Sequence, residues 1–164
     1  MRIEFSLPTV DVKHLNALVR TLCALDVLYL QQHPETPLLK ESGVVYKTQP
    51  AGCERFLTVP AVLAAGSGDC DQLAPWRAAE LRVRQGIKAL PEVRRMSDRL
   101  WHVYVRMPNG SVEDISAHLG MPVPASLAAL GREIIRKRNK HVTTARSHRP
   151  VSALDVEAAT EGLY

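Results

Sequence analysis

A cysteine follows a glycine-rich run in Gly66-Ser67-Gly68-Asp69-Cys70-Asp71. Glycine and serine predict a tight, exposed turn there. The residues after it read as a helix through Trp76, Ala78, Ala79 and Leu81, to about Gln85, with Gly86 as its C-terminal cap. The thiol therefore falls at or near a helix N-terminus. Unpaired N–H groups and the positive end of the helix dipole favour a thiolate in that setting, which is what a nucleophilic cysteine needs. Further along, Leu100 to Met107 alternates as a strand, with His102, Tyr104 and Arg106 on one face and Trp101, Val103, Val105 and Met107 on the other. Pro108-Asn109-Gly110 reads as a hairpin turn, and Ser111 to Ser116 as the returning strand. If Met107 pairs with Ser111, Asp114 faces Tyr104 and lies diagonal to His102, roughly 5–8 Å away between β-carbons. A slip of one residue would put the two side chains on opposite faces.

The order is Cys, then His on a strand, then Asp on the next strand. It resembles the transglutaminase-like branch of the papain-like cysteine enzymes. More narrowly, it is similar to small transglutaminase-like proteins encoded by tailed bacteriophages and prophages. Gly68-Asp69-Cys70-Asp71, Asp71-x-Leu73-Ala74, Ala78-Ala79-Glu80-Leu81-Arg82, Pro108-Asn109-Gly110 and Asp114-Ile115-Ser116 leading to Leu119-Gly120-Met121 carry the likeness. It spans Val44 to Met121, under half the chain. Gln72 stands where the group leads one to expect a second acidic residue, and Lys47-Thr48-Gln49-Pro50 departs from the expected upstream pattern.

The resemblance implies a triad of Cys70, His102 and Asp114. Cys70 would attack a carbonyl as thiolate, His102 would hold it as an ion pair and later protonate the leaving group, and Asp114 would orient the imidazole. The Cys70 backbone N–H is the natural first oxyanion donor, and Gln49 and Gln72 are candidates for the second by side-chain type. The thioester would be released by water as hydrolysis, or by an amine as transamidation. No cofactor is implied. A zinc site built from Cys53, Cys70, His102 and Asp114 is the competing chemical reading, weakened because no close Cys or His pair has ligand spacing. Cys23 reads as a packed core thiol, and His14, His33, His118, His141 and His148 as surface or packing residues.

The elements that must position these groups are legible in part. Val12, Leu15, Leu18, Leu22, Leu25 and Tyr29 recur at helical spacing and predict an amphipathic helix ending before Pro34, with Thr9 as cap and Asp11 in the first turn. Leu7-Pro8-Thr9 ends a lead-in that reads as an edge strand. Four prolines between His33 and Pro60 exclude a long helix there, leaving a short strand at Val44-Val45-Tyr46 and one wall of a cleft. Thr58 to Ala65 reads as a short helix. Pro75 predicts a kink, or a regular helix starting only near Ala74; Arg77, Glu80, Arg82 and Arg84 read as its solvated face. The fold class is α+β, and the resemblance implies a papain-like core with the Cys70 helix packed on a small antiparallel sheet carrying His102 and Asp114. Residues 1–121 form that core with its N-terminal helix, and residues 122–164 a basic helical extension.

Composition bounds the rest. The 164 residues are 46% hydrophobic and 23% charged, as expected of a soluble globular domain. Aromatics are only 5%, so the core leans on Leu, Val and Ala. Three cysteines do not make a disulfide framework, Met1 to Phe5 has no apolar signal core, and no apolar run approaches the ~20 residues of a membrane span. These features predict synthesis in a reducing cytosol and no membrane partner; the resemblance adds the bacterial host cytoplasm or the virion. The net charge is +4, concentrated between Arg132 and Arg149, with Arg136, Lys137, Arg138 and Lys140 at the end of a helix over Ser126 to Lys140. That stretch would contact nucleic acid weakly and without sequence preference, or serve as a solvated helix end. The expected function is phage-type cysteine hydrolysis or acyl transfer on a protein or peptide amide. The alternative is a phage virion or assembly protein with a vestigial triad, whose partners are other particle proteins.

Overall fold

The computed structural model describes residues 11–50, 55–97 and 100–122. The chain divides into Met1–Pro122 and Val123–Tyr164, and every described residue lies in the first unit. The lead-in at Leu7-Pro8-Thr9, the helix over Ser126 to Lys140 and the basic stretch Arg132 to Arg149 fall outside the described residues.

Helices and small sheets mix as an α+β fold. Helix α1 spans Val12–Gln32, followed by a 3-10 turn at Leu39–Glu41 and strand β1 at Val45–Tyr46. Helix α2 spans Val59–Ala65, strand β2 Ser67–Gly68 and helix α3 Cys70–Gln85. Strands β3 (Leu90–Ser97), β4 (Leu100–Arg106) and β5 (Val112–Glu113) lead into the short helix α4 at Ile115–His118. β1 and β2 pair in parallel; β3, β4 and β5 form an antiparallel sheet with β4 in the middle. No helix among the described residues is long and apolar enough to cross a membrane.

Asp11 is the N-cap of α1, accepting from the His14 N–H at 2.8 Å, rather than a first-turn residue behind a Thr9 cap. The helix ends at Gln32, before Pro34, as its periodicity predicts. It buries Val19, Leu22, Cys23 and Leu30, whereas Leu25 faces outward at 40% exposure. Cys23 is packed as expected at 1%. In α2, Pro60 occupies an early position where no intrahelical N–H is needed, and Gly66 closes the helix at φ 63°.

α3 is the axis of the core, packed against α1, β3, β4 and α4. Leu73, Ala74, Trp76, Ala78 and Ala79 are fully buried. The predicted solvated face is corrected here. Neighbours surround α3 on most sides, so Glu80 is 2% exposed and the Arg77 side chain 13%. Their charges are matched internally: Glu80 pairs with Arg77 and accepts from the Leu39 N–H, and Arg77 pairs with Glu113. Pro75 neither delays nor ends the helix, which runs regularly from Cys70.

Strand β3 is an element that neither Ala89-Leu90-Pro91 nor the charged residues after it announced. Its alternation is real, with Pro91 and Val93 buried and Leu90 and Glu92 less so. Pro91 fits because β3 is an edge strand. The Val93 N–H points off the outer edge, where α1's Asn16 Oδ1 accepts it at 3.0 Å. Two residues away, the N–H that Pro91 lacks would lie on that same edge, so no ladder bond is lost.

The hairpin holds the expected register. Met107 N–H donates to Ser111 O at 2.8 Å, Arg106 pairs with Val112 and Val105 with Glu113. The returning strand is shorter than predicted. It stops at Glu113 because Asp114 turns the chain, accepting from the Ala117 N–H at 3.2 Å as the N-cap of α4.

Candidate functional site

The glycine run is an exposed turn only at Gly66. Gly66 is the αL cap of α2, and Ser67–Gly68 forms β2 against β1, with Gly68 buried. Lys47 N–H donates to Gly68 O at 2.9 Å and Val45 N–H to Gly66 O at 3.2 Å, tying the upstream wall to the start of α3. A β-carbon on Gly68 would lie 3.0 Å from Leu73 Cδ2 and 3.1 Å from Gln72 Oε1. Leu73 is fully buried and cannot yield. Gly68→Ala is expected to destabilise the protein by about 1–3 kcal/mol, read as a lower denaturant midpoint; an unchanged midpoint would refute the close-packing account.

Asp69 is the N-cap of α3, and Cys70 is the first helical residue. The Asp69 carboxylate accepts from the backbone N–H groups of Cys70 at 2.7 Å and Gln49 at 2.8 Å, and from that of Gln72. Gln72 Oε1 closes a capping box by accepting from the Asp69 N–H at 3.2 Å. Three expectations about an oxyanion site are corrected by this arrangement. The Cys70 N–H is already committed to Asp69. The Gln72 amide donates to Arg55 O. Gln49 brackets the same residue, accepting from the Arg55 N–H at 2.8 Å and donating to Arg55 O at 3.2 Å. Both glutamines hold the Arg55 backbone against the helix start.

The electrostatics of Cys70 also differ from expectation. Burial first, then the carboxylates of Asp69 and Asp71, push its thiol well above the ordinary range; a hydrogen bond from the Val103 N–H opposes them. Being first in a helix does not produce a resting thiolate when two carboxylates flank the sulfur.

His102 and Asp114 are brought together. Imidazole Nε2 lies 3.1 Å from both Asp114 oxygens. His102 is 7% exposed and comes from the central strand, so its ring is fixed by packing as well as by this bond. Burial works to raise the Asp114 carboxyl, but the bonds from His102 and from the Ala117 N–H outweigh it and hold it below the usual carboxylate range. With Nε2–H donating to Asp114, Nδ1 is the nitrogen left with a lone pair. Tyr104 packs edge-on against the imidazole, ring centroids 4.5 Å apart at 89°. It lies two residues on, on the same strand face, so the alternation contained this neighbour although no role was read for it.

The Cys70 sulfur reaches β4, the strand that carries His102. The Val103 N–H that reaches the Cys70 sulfur belongs to the residue after His102, and the Tyr104 hydroxyl feels the charges of both Asp114 and Cys70. Among the described residues, no hydrogen bond joins the Cys70 thiol to His102. No group of three His, Cys, Asp or Glu among them is placed to hold a metal ion, and Cys53 lies outside them.

No family model matches the chain, and no curated protein or solved structure matches it.

Proposed function

We propose that the chain is a transglutaminase-like cysteine acyltransferase or hydrolase acting on a protein or peptide amide, with a papain-like arrangement of Cys70, His102 and Asp114. The observation that carries this reading is the His102–Asp114 pair at 3.1 Å, which leaves Nδ1 as a base on the strand that contacts Cys70. Because the thiol is held protonated at rest, His102 acts as general base during attack rather than as half of a standing ion pair. The sulfur bonds to the carbonyl carbon as Nδ1 takes the thiol proton. The same nitrogen returns that proton to the amine as the C–N bond breaks. Water or a second amine then cleaves the thioester. A role in phage particles rests on the motif resemblance alone.

A second reading, a phage structural or assembly protein with a vestigial triad, is favoured by one set of observations. The Cys70 N–H and both glutamine amides are committed elsewhere, and the thiol is pushed up.

Alkylation of Cys70 by iodoacetamide, followed by mass spectrometry across pH, separates the two. With His102 as base, the wild type is expected to react at least about tenfold faster than His102→Ala near neutral pH. The two should converge at alkaline pH, where hydroxide removes the thiol proton unaided. Equal rates for wild type and variant at every pH would leave the vestigial reading standing.

A further inference from the structure

The face of the β3–β4 sheet that carries His102 also carries basic charge the triad does not use. Arg94 is the direct cross-strand partner of His102, so the two side chains share a face with β-carbons about 4.5–5.5 Å apart. Its guanidinium lies over the Tyr104 ring, 5.3 Å from the centroid, and that ring is the one packed against the imidazole. The Tyr104 hydroxyl feels Arg94, Asp114 and Cys70 together, which puts the guanidinium within electrostatic range of the reacting groups.

Arg94 is not used up by the fold. Its Nε donates to Glu92 Oε1 at 2.8 Å, while Nη1 and Nη2 have no hydrogen bond among the described residues. The side chain is 46% exposed. Glu92 is shared, for its other oxygen pairs with Arg106 Nε at 2.6 Å. On the β3 side two guanidinium groups thus face one carboxylate, while Asp114 acts on Tyr104 from the end of β5. Across the sulfur the sign reverses, since Asp69 and Asp71 lie on the helix side. The site is polarised, negative toward α3 and positive toward β3.

We infer that the acyl donor received at Cys70 carries a carboxylate close to its reacting carbonyl, and that Arg94 is the specificity-determining residue that binds it. This inference rests on the nucleophile reading above. A planar fork with two outer amino groups open, braced on an aromatic ring and tethered through Nε, is suited to bidentate capture of a carboxylate. The opposing charge of Asp69 and Asp71 then directs the anionic end away from the helix, so the substrate enters in one orientation. An acidic peptide segment is the substrate class that meets these conditions.

The test compares an anionic with a neutral electrophile at the same sulfur. Iodoacetate and iodoacetamide differ by one charge, and mass spectrometry reads their second-order rates at Cys70 in the full chain. The iodoacetate-to-iodoacetamide ratio is expected to fall about threefold or more in Arg94→Gln, to fall less in Arg94→Lys, which keeps the charge but not the planar fork, and to lose these differences in high salt. Because the Arg94 charge bears on the sulfur as well, the iodoacetamide rate of each variant is its own reference, and the ratio alone is the readout. If Cys70 reacts with iodoacetamide in a His102-dependent way but the ratio is the same in Arg94→Gln, the carboxylate inference is overturned and the nucleophile reading stands. If Cys70 is inert to both reagents, the nucleophile reading fails and this inference fails with it.

Discussion

Asp26→Asn is expected to remove a pH dependence of stability worth roughly 4 kcal/mol between about pH 4 and about pH 8. Asp26 is fully buried in the middle of α1, and burial, opposed only by the Val59 N–H, raises its carboxyl from 3.8 to about 7. The folded state therefore holds a proton that the unfolded chain has released by about pH 5. Stability falls as pH climbs wherever the native state binds more protons. The contribution is complete below the unfolded value and is lost as pH rises through about 7. Asparagine cannot titrate, and its Oδ1 can still accept from the Val59 N–H, a bond of 2.9 Å that caps α2. Because the carboxylates of Asp114 and Glu113 are shifted the other way, the quantity to compare is wild type minus variant, not the raw profile. Denaturant titrations at several pH values give that difference. Parallel profiles would show that Asp26 is already ionised in the fold. Since Asp26 caps the helix leading into β2 and the Cys70 turn, the same titration should loosen the start of α3 before global unfolding.

The sequence made some of this arrangement readable and hid the rest for identifiable reasons. The His102–Asp114 meeting was readable because hairpin register follows from a turn and a two-residue alternation, both local. The helix of Cys70 and its Gly86 cap were readable because capping residues act within one turn. Most of what failed was long-range, and the rest turned on the placement of one neighbouring side chain. The commitment of the Cys70 N–H depends on where the Asp69 side chain turns. The loss of Gln49 and Gln72 as donors depends on Arg55, a residue from another loop. The raised thiol reflects burial by elements far apart in sequence. Strand β3 was hidden because Pro91 and three arginine or glutamate residues argue against a strand, and only its place at the sheet edge, braced by Asn16 from α1, makes them acceptable. α3 was misread at Arg77 and Glu80 because charge on a helix normally means solvent. Here the partner charges come from β5 and from the helix itself.

That buried network gives the last expectation. Glu80→Ala is expected to cost about 3–5 kcal/mol, more than any exposed ion pair would. The Glu80 carboxylate meets both Arg77 and the Leu39 N–H, the latter at 2.6 Å, and is 2% exposed. Removing it strands a buried peptide N–H and strips a largely buried guanidinium of one partner. Arg77 keeps Glu113 at 3.1 Å, and Glu113 is also held by Lys40 at 2.8 Å, so the loss should fall toward the lower end. Glu80→Gln keeps an acceptor for Leu39 and should cost less, which separates the hydrogen bond from the charge. A double-mutant cycle with Arg77→Ala isolates the pair, with a coupling of about 1–3 kcal/mol expected; strict additivity would mean the two side chains do not sense each other. The consequence reaches the site, because Glu113 immediately precedes Asp114. An Arg77 no longer anchored by Glu80 should shift with Glu113 and move the Asp114 carboxylate relative to His102. Glu80→Ala should then slow Cys70 alkylation near neutral pH under conditions where the protein is still folded, while Glu80→Gln should slow it less. A stability loss with no change in that rate would confine the network to holding the fold.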